Sequence, residues 1–273
     1  MSEVTPGFDL GPAVLFCPAD RPERYAKALD RADAVILDLE DAVTAGDKAT
    51  ARAALLANPL DPARVIVRVN GFDTDWFEDD LVALRQTAYR RVMLPKATSA
   101  AQTQALRGWD VIALCETAAG ILAAGEIAAT EHVVALFWGA EDLVASLGGT
   151  SSRFASGQYR DVARQARASV LLAAAANGIA AIDSVFMDIP NLDGLRAEAE
   201  DAVASGFSAT ACIHPSQVET IRTAYSPTEA QVAHARELLE VAEKSHGAFA
   251  FEGHMVDEPV LRHARTLLGR ISR

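Results

Sequence analysis

Four acidic side chains stand where short apolar runs of the sequence end. Glu40 and Asp41 follow one run, Glu116 ends another, and Asp142 comes just after a third. Brought together without partners, these carboxylates would repel one another and raise each other's pKa. A hard divalent cation removes that conflict, and ligands that are all oxygen favour Mg²⁺ or Mn²⁺ over Zn²⁺. The pattern predicts a magnesium site, provided that the fold gathers the ends of these runs.

Each acid taken alone has a simpler interpretation. Glu116 and Asp142 could each cap the helix that follows, because helix N-termini favour negative charge. Metal ligation becomes the better hypothesis for the two together, since they end adjacent predicted strands beside Gly139. Asp38 lies inside the run AVILDLEDAV, and we predict no role for it beyond local structure.

Cationic side chains stand at comparable positions. Arg68, in RVIVRVN, could bind a substrate carboxylate in a bidentate manner or pair with one of the acids. Lys96 could form a Schiff base with a carbonyl substrate. With so many acids nearby, an ion-paired Lys96 is the preferred interpretation. His214, which precedes Pro215, could be a hydrogen-bonded structural histidine, the commoner outcome for a lone one.

The elements that would position these residues alternate along the chain. Short runs rich in Val, Ile and Leu are followed by longer Ala-rich segments with helical spacing. Eight such units favour a (β/α)₈ TIM barrel, an α/β fold in which catalytic groups lie at the C-terminal ends of the strands. An open doubly wound sheet is disfavoured because no run precedes a G-x-G-x-x-G turn. The eight runs are 14–19, 34–40, 64–70, 91–97, 110–116, 133–139, 180–186 and 209–215.

Helices are expected over 47–57, 76–88 and 161–178, and a further helical segment follows the eighth run. We therefore divide the chain into a barrel domain, residues 1–225, and a C-terminal extension, residues 226–273. The extension looks too short to build a core of its own. It is expected to pack on the barrel or on a neighbouring subunit.

Composition narrows the class of protein. A net charge of −12 over 273 residues argues against a nucleic-acid partner, whose phosphates need a basic surface. No apolar run is long enough to span a bilayer, and the first residues lack the layout of a signal peptide. The three cysteines are far apart in apolar runs, which fits a reducing compartment. We expect a cytoplasmic protein without a membrane partner.

Eight motifs, in order and over nearly the whole chain, resemble those of citrate lyase β-subunit-like proteins. These proteins belong to the HpcH/HpaI aldolase and malyl-CoA lyase superfamily. No single motif is decisive, but eight in register are highly specific. The motifs are FCPADRPERYAKA, ILDLEDAV with a following DKATAR, VIVRVN, VMLPKA, ALCETAAG, FWGAEDL, CIHPSQ and EGHMVDEPV.

The resemblance implies a Mg²⁺-dependent lyase that cleaves a carbon–carbon bond in a 3-hydroxyacyl-CoA. By motif position, Glu116 and Asp142 would bind the metal directly, and Mn²⁺ could replace Mg²⁺. Arg68 would hold the carboxylate of the substrate. Glu40 and Asp41 would reach the metal through water or orient its ligands.

The resemblance also implies a role for the C-terminal extension. Asp257 of MVDEPV would be the proton-transferring acid, donated by the extension to the site of an adjacent subunit, so that a homo-oligomer, in particular a trimer, is expected. Coenzyme A would lie near Arg21 and near His214 and Pro215. The substrate would also contact Glu116, Gly139 and Ala140.

The substrate remains open among malyl-, citramalyl-, citryl- and 3-hydroxy-3-methylglutaryl-CoA. The products would be acetyl-CoA, or a related acyl-CoA, and a keto acid. Two alternatives stay open beside this reaction. The chain could be the β subunit of a citrate lyase complex that acts on a carrier-bound citryl group, or it could be an acyl-CoA thioesterase.

Overall fold

The computed structural model describes residues 9–245 and 247–271. The chain divides into two compact units, of which the first ends at Ile221 and the second begins at Arg222. This division falls four residues before the expected boundary at 225. Among the described residues, none of the helices combines the length and the hydropathy needed to cross a membrane.

A closed barrel of eight parallel strands forms the first unit and confirms the expected (β/α)₈ fold. Each strand is hydrogen-bonded to the next, and the last strand pairs with the first, with Cys212 opposite Leu15. The strands are β1 Ala13–Pro18, β2 Ala34–Asp38, β3 Val65–Arg68, β4 Arg91–Leu94, β5 Asp110–Cys115, β6 Val133–Trp138, β7 Ala180–Asp183 and β8 Ala209–Cys212.

Helices follow the strands, as the Ala-rich segments predicted. The segment expected at 47–57 begins at Lys48, and the one at 161–178 ends at Ala176, two residues before Gly178 with its positive φ of 69°. The helices are α1 Tyr25–Arg31, α2 Lys48–Ala57, α3 Phe77–Leu84, α4 Ala100–Gln104, α5 Ala118–Ala128, α6 Ala140–Ser146, α7 Asp161–Ala176, α8 Leu192–Ser205, α9 Val218–Tyr225, α10 Glu229–Glu243 and α11 Glu258–Gly269.

Aliphatic and aromatic side chains from every strand pack into one cluster that fills the barrel. Because side chains alternate between the two faces of a strand, every second residue of a run contributes to this cluster. Its larger members are Leu10, Val14, Ile36, Ile66, Met93, Ile112, Leu114, Phe137 and Ile182. The barrel is therefore a packed core, and polar side chains meet at its C-terminal end.

The second unit contains α10, a two-stranded antiparallel hairpin and α11. The hairpin strands are β9 Phe249–Phe251 and β10 His254–Val256, and Glu252 and Gly253 between them have φ of 48° and 81°. Such a two-residue turn suits the twist of a hairpin. Leu238, Val256 and Ala264 are buried in a small apolar cluster within this unit. The expectation that the extension lacks a core of its own was therefore wrong, because the hairpin supplies a second layer beside the helices.

Candidate functional site

Alternation along the strands brings three charged side chains to the inner side of the barrel's C-terminal end. Asp38, Arg68 and Glu116 each stand two positions after an apolar member of the interior cluster, and each is buried. Side chains two residues apart on a strand point to the same face. The three preceding core residues are Ile36, Ile66 and Leu114.

Glu116 follows β5 and is only 2% exposed. Its Oε1 accepts a hydrogen bond from the backbone N–H of Lys96 at 3.1 Å. Burial, with a further contribution from the Asp142 carboxylate, raises the pKa of Glu116 to about 8. Thr117 caps α5 instead, since its hydroxyl accepts from the backbone of Gly120. Glu116 is therefore not a helix cap, and its charge is left for another partner.

Gly139 and Asp142 lie on the neighbouring strand end. Gly139 precedes α6, and a Cβ there would stand 2.7 Å from Glu116 Oε2 and 2.9 Å from Glu116 Cβ. Only glycine leaves room for the carboxylate. Ala140 begins the helix and is buried, whereas Asp142, in the first turn, is partly exposed. The cap position belongs to Gly139, so Asp142 too remains available as a ligand.

The Lys96 side chain connects the acids of two strand ends, those of β2 and β6. Its ammonium is hydrogen-bonded to Glu40, and it lies 3.5 Å from Asp41 Oδ2 and 3.8 Å from Asp142 Oδ1. Its backbone has a φ of 50°, a left-handed conformation that non-glycine residues seldom adopt. Burial alone would lower the pKa of Lys96, but the hydrogen bond and charge of Glu40, with the charges of Glu116 and Asp41, together raise it. This pairing agrees with the preferred interpretation and disfavours a Schiff base, which needs a neutral amine.

Arg68 is engaged by two acids. Its Nε and NH2 each donate to Asp38 at 2.7 Å, and its NH1 lies 2.9 Å from Glu40 Oε2. Arg68 thus forms the ion pair with acids that was one of its two predicted roles, and Asp38 is the main partner of Arg68. Sequence reasoning gave Asp38 no role beyond local structure and so missed its pairing with Arg68. Its position two residues after Ile36, on the inner face of β2, was the available signal.

Glu40 and Asp41 differ in their surroundings. Glu40 is buried, and burial raises its pKa despite the neighbouring Arg68 and Lys96. Asp41 is largely exposed. Both lie within reach of the Lys96 ammonium, so the structure brings them to the same part of the barrel end as Glu116 and Asp142.

Arg21, His214 and Pro215 lie on adjacent loops because β1 pairs with β8. Arg21 is exposed beyond β1. His214 is also exposed, and its Nδ1 accepts from the Ser216 backbone at 3.2 Å at the start of a short 3₁₀ helix whose first residue is Pro215. His214 is thus a hydrogen-bonded cap, as the structural interpretation supposed. Because the His214 side chain is exposed, a ligand can also contact it.

Asp257 belongs to the second unit. It directly follows β10 and precedes α11, and its side chain makes no capping hydrogen bond to that helix. The residue as a whole is only partly exposed. The acid is therefore held at the junction of a strand and a helix without being used by the local backbone.

The donor set fits Mg²⁺. In the described part of the chain, no three His, Cys, Asp or Glu side chains form a ready-made metal cage. Mg²⁺ does not need one, because it is usually held by one or two carboxylates, with water and substrate completing the octahedron. Glu116 and Asp142 supply two oxygen-bearing side chains, and burial together with the Asp142 carboxylate raises the pKa of Glu116 although Lys96 and Arg68 act in the opposite direction.

Comparison with known proteins gives a consistent result. A family model described as HpcH/HpaI aldolase/citrate lyase matches residues 13–215. A citrate lyase subunit beta-like protein of Mycobacterium tuberculosis is 56% identical over 260 residues, which are 95% of this chain and 95% of that protein. A (3S)-malyl-CoA thioesterase of Cereibacter sphaeroides is 35% identical over 274 residues, which cover 94% of this chain and 93% of that protein.

Solved structures share the fold. The crystal structure of protein CitE from M. tuberculosis in complex with magnesium, acetoacetate and coenzyme A has a TM-score of 0.93 and 56% identity, over 97% of this chain and 99% of that one. The citrate lyase beta subunit complexed with oxaloacetate and magnesium, from the same organism, has a TM-score of 0.79 and 57% identity, over 80% and 98% of the two chains.

Proposed function

The chain belongs to the HpcH/HpaI aldolase/citrate lyase family, and on that premise we propose that it is a Mg²⁺-dependent carbon–carbon lyase. Its substrate would be a 3-hydroxyacyl-CoA of the malyl, citramalyl, citryl or 3-hydroxy-3-methylglutaryl type. Cleavage would release acetyl-CoA, or a related acyl-CoA, and a keto acid. The structures of similar proteins with magnesium, keto acids and coenzyme A support this assignment.

The observation that carries the proposal is the buried carboxylate of Glu116 beside Asp142 at the C-terminal end of the barrel. These two residues would hold Mg²⁺, or Mn²⁺ in its place. The bound ion would supply Lewis acidity to the oxygen atoms of the hydroxy acid and keto acid. Gly139 and Ala140 would let the substrate approach the backbone, since the first has no side chain and the second only a methyl group.

Arg68 would orient the carboxylate of the substrate. Its Nε and NH2 bond Asp38, and its NH1 faces Glu40, but each terminal nitrogen of a guanidinium carries a second N–H. Those N–H groups would bind the substrate carboxylate while the acids fix the plane of the guanidinium. Glu40 and Asp41 would orient the cationic groups around the ion, in part through Lys96.

Asp257 would transfer the proton at the carbon that becomes the methyl group of acetyl-CoA. We propose that residues 226–273 of one subunit bring this acid to the site of another, within a homotrimer. Its carboxylate is free of any capping role, which supports the assignment. Coenzyme A would lie along the loops that carry Arg21, His214 and Pro215.

An apolar surface of the barrel supports self-association. Leu122 is 88% exposed, and together with Leu147, Val162 and Leu172 it borders a groove of about 590 Å³ between α5, α6 and α7. None of the described side chains that line this groove is charged, although the chain has a net charge of −12. Two such acidic chains would meet with least repulsion here. We also propose a cytoplasmic location, which the three buried cysteines support, since none of them forms a disulfide.

The decisive experiment is a screen of acyl-CoA esters with purified protein and Mg²⁺, with products identified by mass spectrometry. Glu116→Ala and Asp142→Ala should abolish Mg²⁺ binding in calorimetry. Glu141→Ala is the matched control, because Glu141 neighbours Asp142 but accepts a hydrogen bond from Ser152. Unchanged Mg²⁺ affinity in the first two variants would refute the metal assignment.

Mixing two inactive variants tests which subunit supplies Asp257 to each site. Asp257→Ala should bind Mg²⁺ normally and lose turnover. Mixing it with inactive Glu116→Ala subunits, under conditions in which subunits exchange, should restore part of the activity, because some sites then combine an intact Glu116 with an intact Asp257. No recovery in verified mixed oligomers would place the acid in the same subunit as the metal.

A thioesterase is the second candidate function, favoured by the 35% identical (3S)-malyl-CoA thioesterase. It predicts release of free CoA and an intact hydroxy acid, which the same mass measurement distinguishes. A citrate lyase β subunit predicts turnover only on a carrier-bound citryl group. A Lys96 aldolase predicts activity in EDTA and a covalent adduct after borohydride reduction, and the paired state of Lys96 argues against both results.

A further inference from the structure

Lys48 is a buried lysine beneath the site. It is the first residue of α2 and is 5% exposed. Its Nζ donates hydrogen bonds to the backbone carbonyl oxygens of Leu39 and Glu40, at 2.7 Å each. The ammonium also lies 5.2 Å from the centre of the Trp76 ring. Within the described ranges, both of its hydrogen bonds therefore hold the turn that carries Glu40.

Arg52, one helical turn after Lys48, supports the same turn from a second direction. Its NH1 lies 3.1 Å from Asp80 Oδ1, and Asp80 is fully buried. Oδ2 of Asp80 accepts from the backbone and the side chain of Asn70, at 2.8 and 2.7 Å. The Asn70 amide in turn donates to Leu39 O at 3.0 Å. The Leu39 carbonyl thus receives two donors, and both are anchored to α2.

Stability alone is a poor reason for this arrangement. Taking an ammonium group out of water costs free energy that the two carbonyl acceptors and the nearby carboxylates only partly return, since burial lowers the pKa of Lys48 despite those acids. An apolar side chain would fill the same space at less cost. The two carbonyls, however, belong to the residue before Glu40 and to Glu40 itself, whose side chain meets both Arg68 and Lys96.

We propose that Lys48 is a positioning residue, whose ammonium fixes the Leu39 and Glu40 peptides so that the Glu40 carboxylate stands between Arg68 NH1 and Lys96 Nζ. This role rests on the proposed function, since it serves the orientation of those two cations toward substrate. The motif DKATAR, which contains both Lys48 and Arg52, is then part of the site's framework although neither side chain reaches its surface.

Lys48→Met tests the role, because it removes the ammonium and keeps an unbranched side chain. It should lower kcat by about tenfold or more, with a smaller change in KM, as expected when a catalytic group is misplaced. Leu55→Ala is the matched control. It destabilises the same helix, and its apolar side chain cannot hold either carbonyl, so kcat should stay near that of the wild type well below the melting temperature.

A double-mutant cycle shows whether Lys48 acts through Glu40. In the Glu40→Gln background, Lys48→Met should change kcat by less than about twofold, because the group that it positions is already altered. A full additional loss, an unchanged kcat in Lys48→Met alone, or an equal loss in Leu55→Ala would each overturn the inference. If Lys48→Met does not fold, Asn70→Ser replaces it, since it removes the other donor to Leu39 O.

Amide hydrogen exchange separates this inference from the proposed function. The peptide covering residues 38–43 should exchange faster in Lys48→Met than in the wild type and in Leu55→Ala, whether or not any acyl-CoA is turned over. If the wild-type protein is inactive on every ester, the proposed function fails. The hydrogen-exchange measurement then tests the positioning role of Lys48 by itself. Unchanged exchange in that peptide would overturn the positioning role even in an active enzyme.

Discussion

The guanidinium of Arg68 and the carboxylate of Asp38 form a bidentate pair across β3 and β2, with two hydrogen bonds of 2.7 Å. The residues stand directly opposite each other in the register of the two strands, and both are buried. Asp38 also accepts from the backbone N–H groups of Glu40 and Ala42. One carboxylate therefore fixes both the guanidinium of Arg68 and the turn that presents Glu40.

Asp38→Ala should destabilise the protein strongly, because it leaves the Arg68 charge buried without its main partner. The expected loss is about 3–5 kcal/mol in the free energy of unfolding, measured by urea denaturation. Asp201→Ala is the matched control. It removes an exposed partner of Arg167, which keeps the buried Asp183, so the loss should be at most about 1 kcal/mol. Equal losses in the two variants would contradict the assignment.

Glu116→Gln should change the pH dependence of the free energy of unfolding relative to that of the wild type. The folded pKa of Glu116, about 8, lies above that of a free glutamate, so ionising the group costs folding free energy as pH rises. In EDTA, the free energy of unfolding of the variant should rise relative to that of the wild type between about pH 5 and about pH 9, by on the order of 4 kcal/mol. A constant difference over that range in urea denaturation would show that Glu116 titrates normally. Added Mg²⁺ should stabilise only the wild type.

Gly139→Ala should weaken Mg²⁺ binding. The new Cβ would stand 2.7 Å from Glu116 Oε2 and must displace that carboxylate. Calorimetry should show at least about a tenfold lower Mg²⁺ affinity, a loss of about 1.4 kcal/mol. Gly125→Ala in α5, where a Cβ meets nothing within 4 Å, should keep the affinity and raise helix stability by about 1 kcal/mol. Equal affinities in the two variants would be the contrary result.

The cysteines should resist alkylation in the folded protein. Burial raises the pKa of Cys17 to about 11 and that of Cys115 to about 12, and Cys212 is fully buried. At about pH 8 the reactive thiolate is scarce and shielded. Iodoacetamide labelling followed by mass spectrometry should therefore find little modification without denaturant, and three labelled thiols in guanidinium. Rapid native labelling of Cys115 would mean that the end of β5 opens.

The strands were predictable because each is a buried parallel run, which reads as continuous Val, Ile and Leu. The predicted runs, however, extended beyond the C-terminal ends of the observed strands. β2 ends at Asp38 and β3 at Arg68, whereas the runs extended to 40 and 70. The difference lies in the polar residues that leave the ladder to form the site. Hydrophobicity alone does not mark that point.

The partners of the charged residues were not predictable from local sequence. Asp38 and Arg68 are 30 residues apart, and Lys48 bonds a turn on another element, so both relationships arise only when the barrel closes. A list of strand ends contains the acids that meet at this end of the barrel but does not say which of them already pair with a cation. The hairpin of the second unit was also missed, although Glu252-Gly253 is a turn sequence with apolar residues on both sides.

The pairing of β1 with β8 has a consequence for synthesis of the chain. A ribosome has to deliver residues up to Cys212 before the first strand finds its second neighbour. Until then, the growing sheet exposes the backbone groups of β1 at one edge and of its newest strand at the other. Such edges can recruit other chains. Nascent chains and truncated products of this protein should thus depend on chaperones in a way that the finished ring, which has no edge, does not.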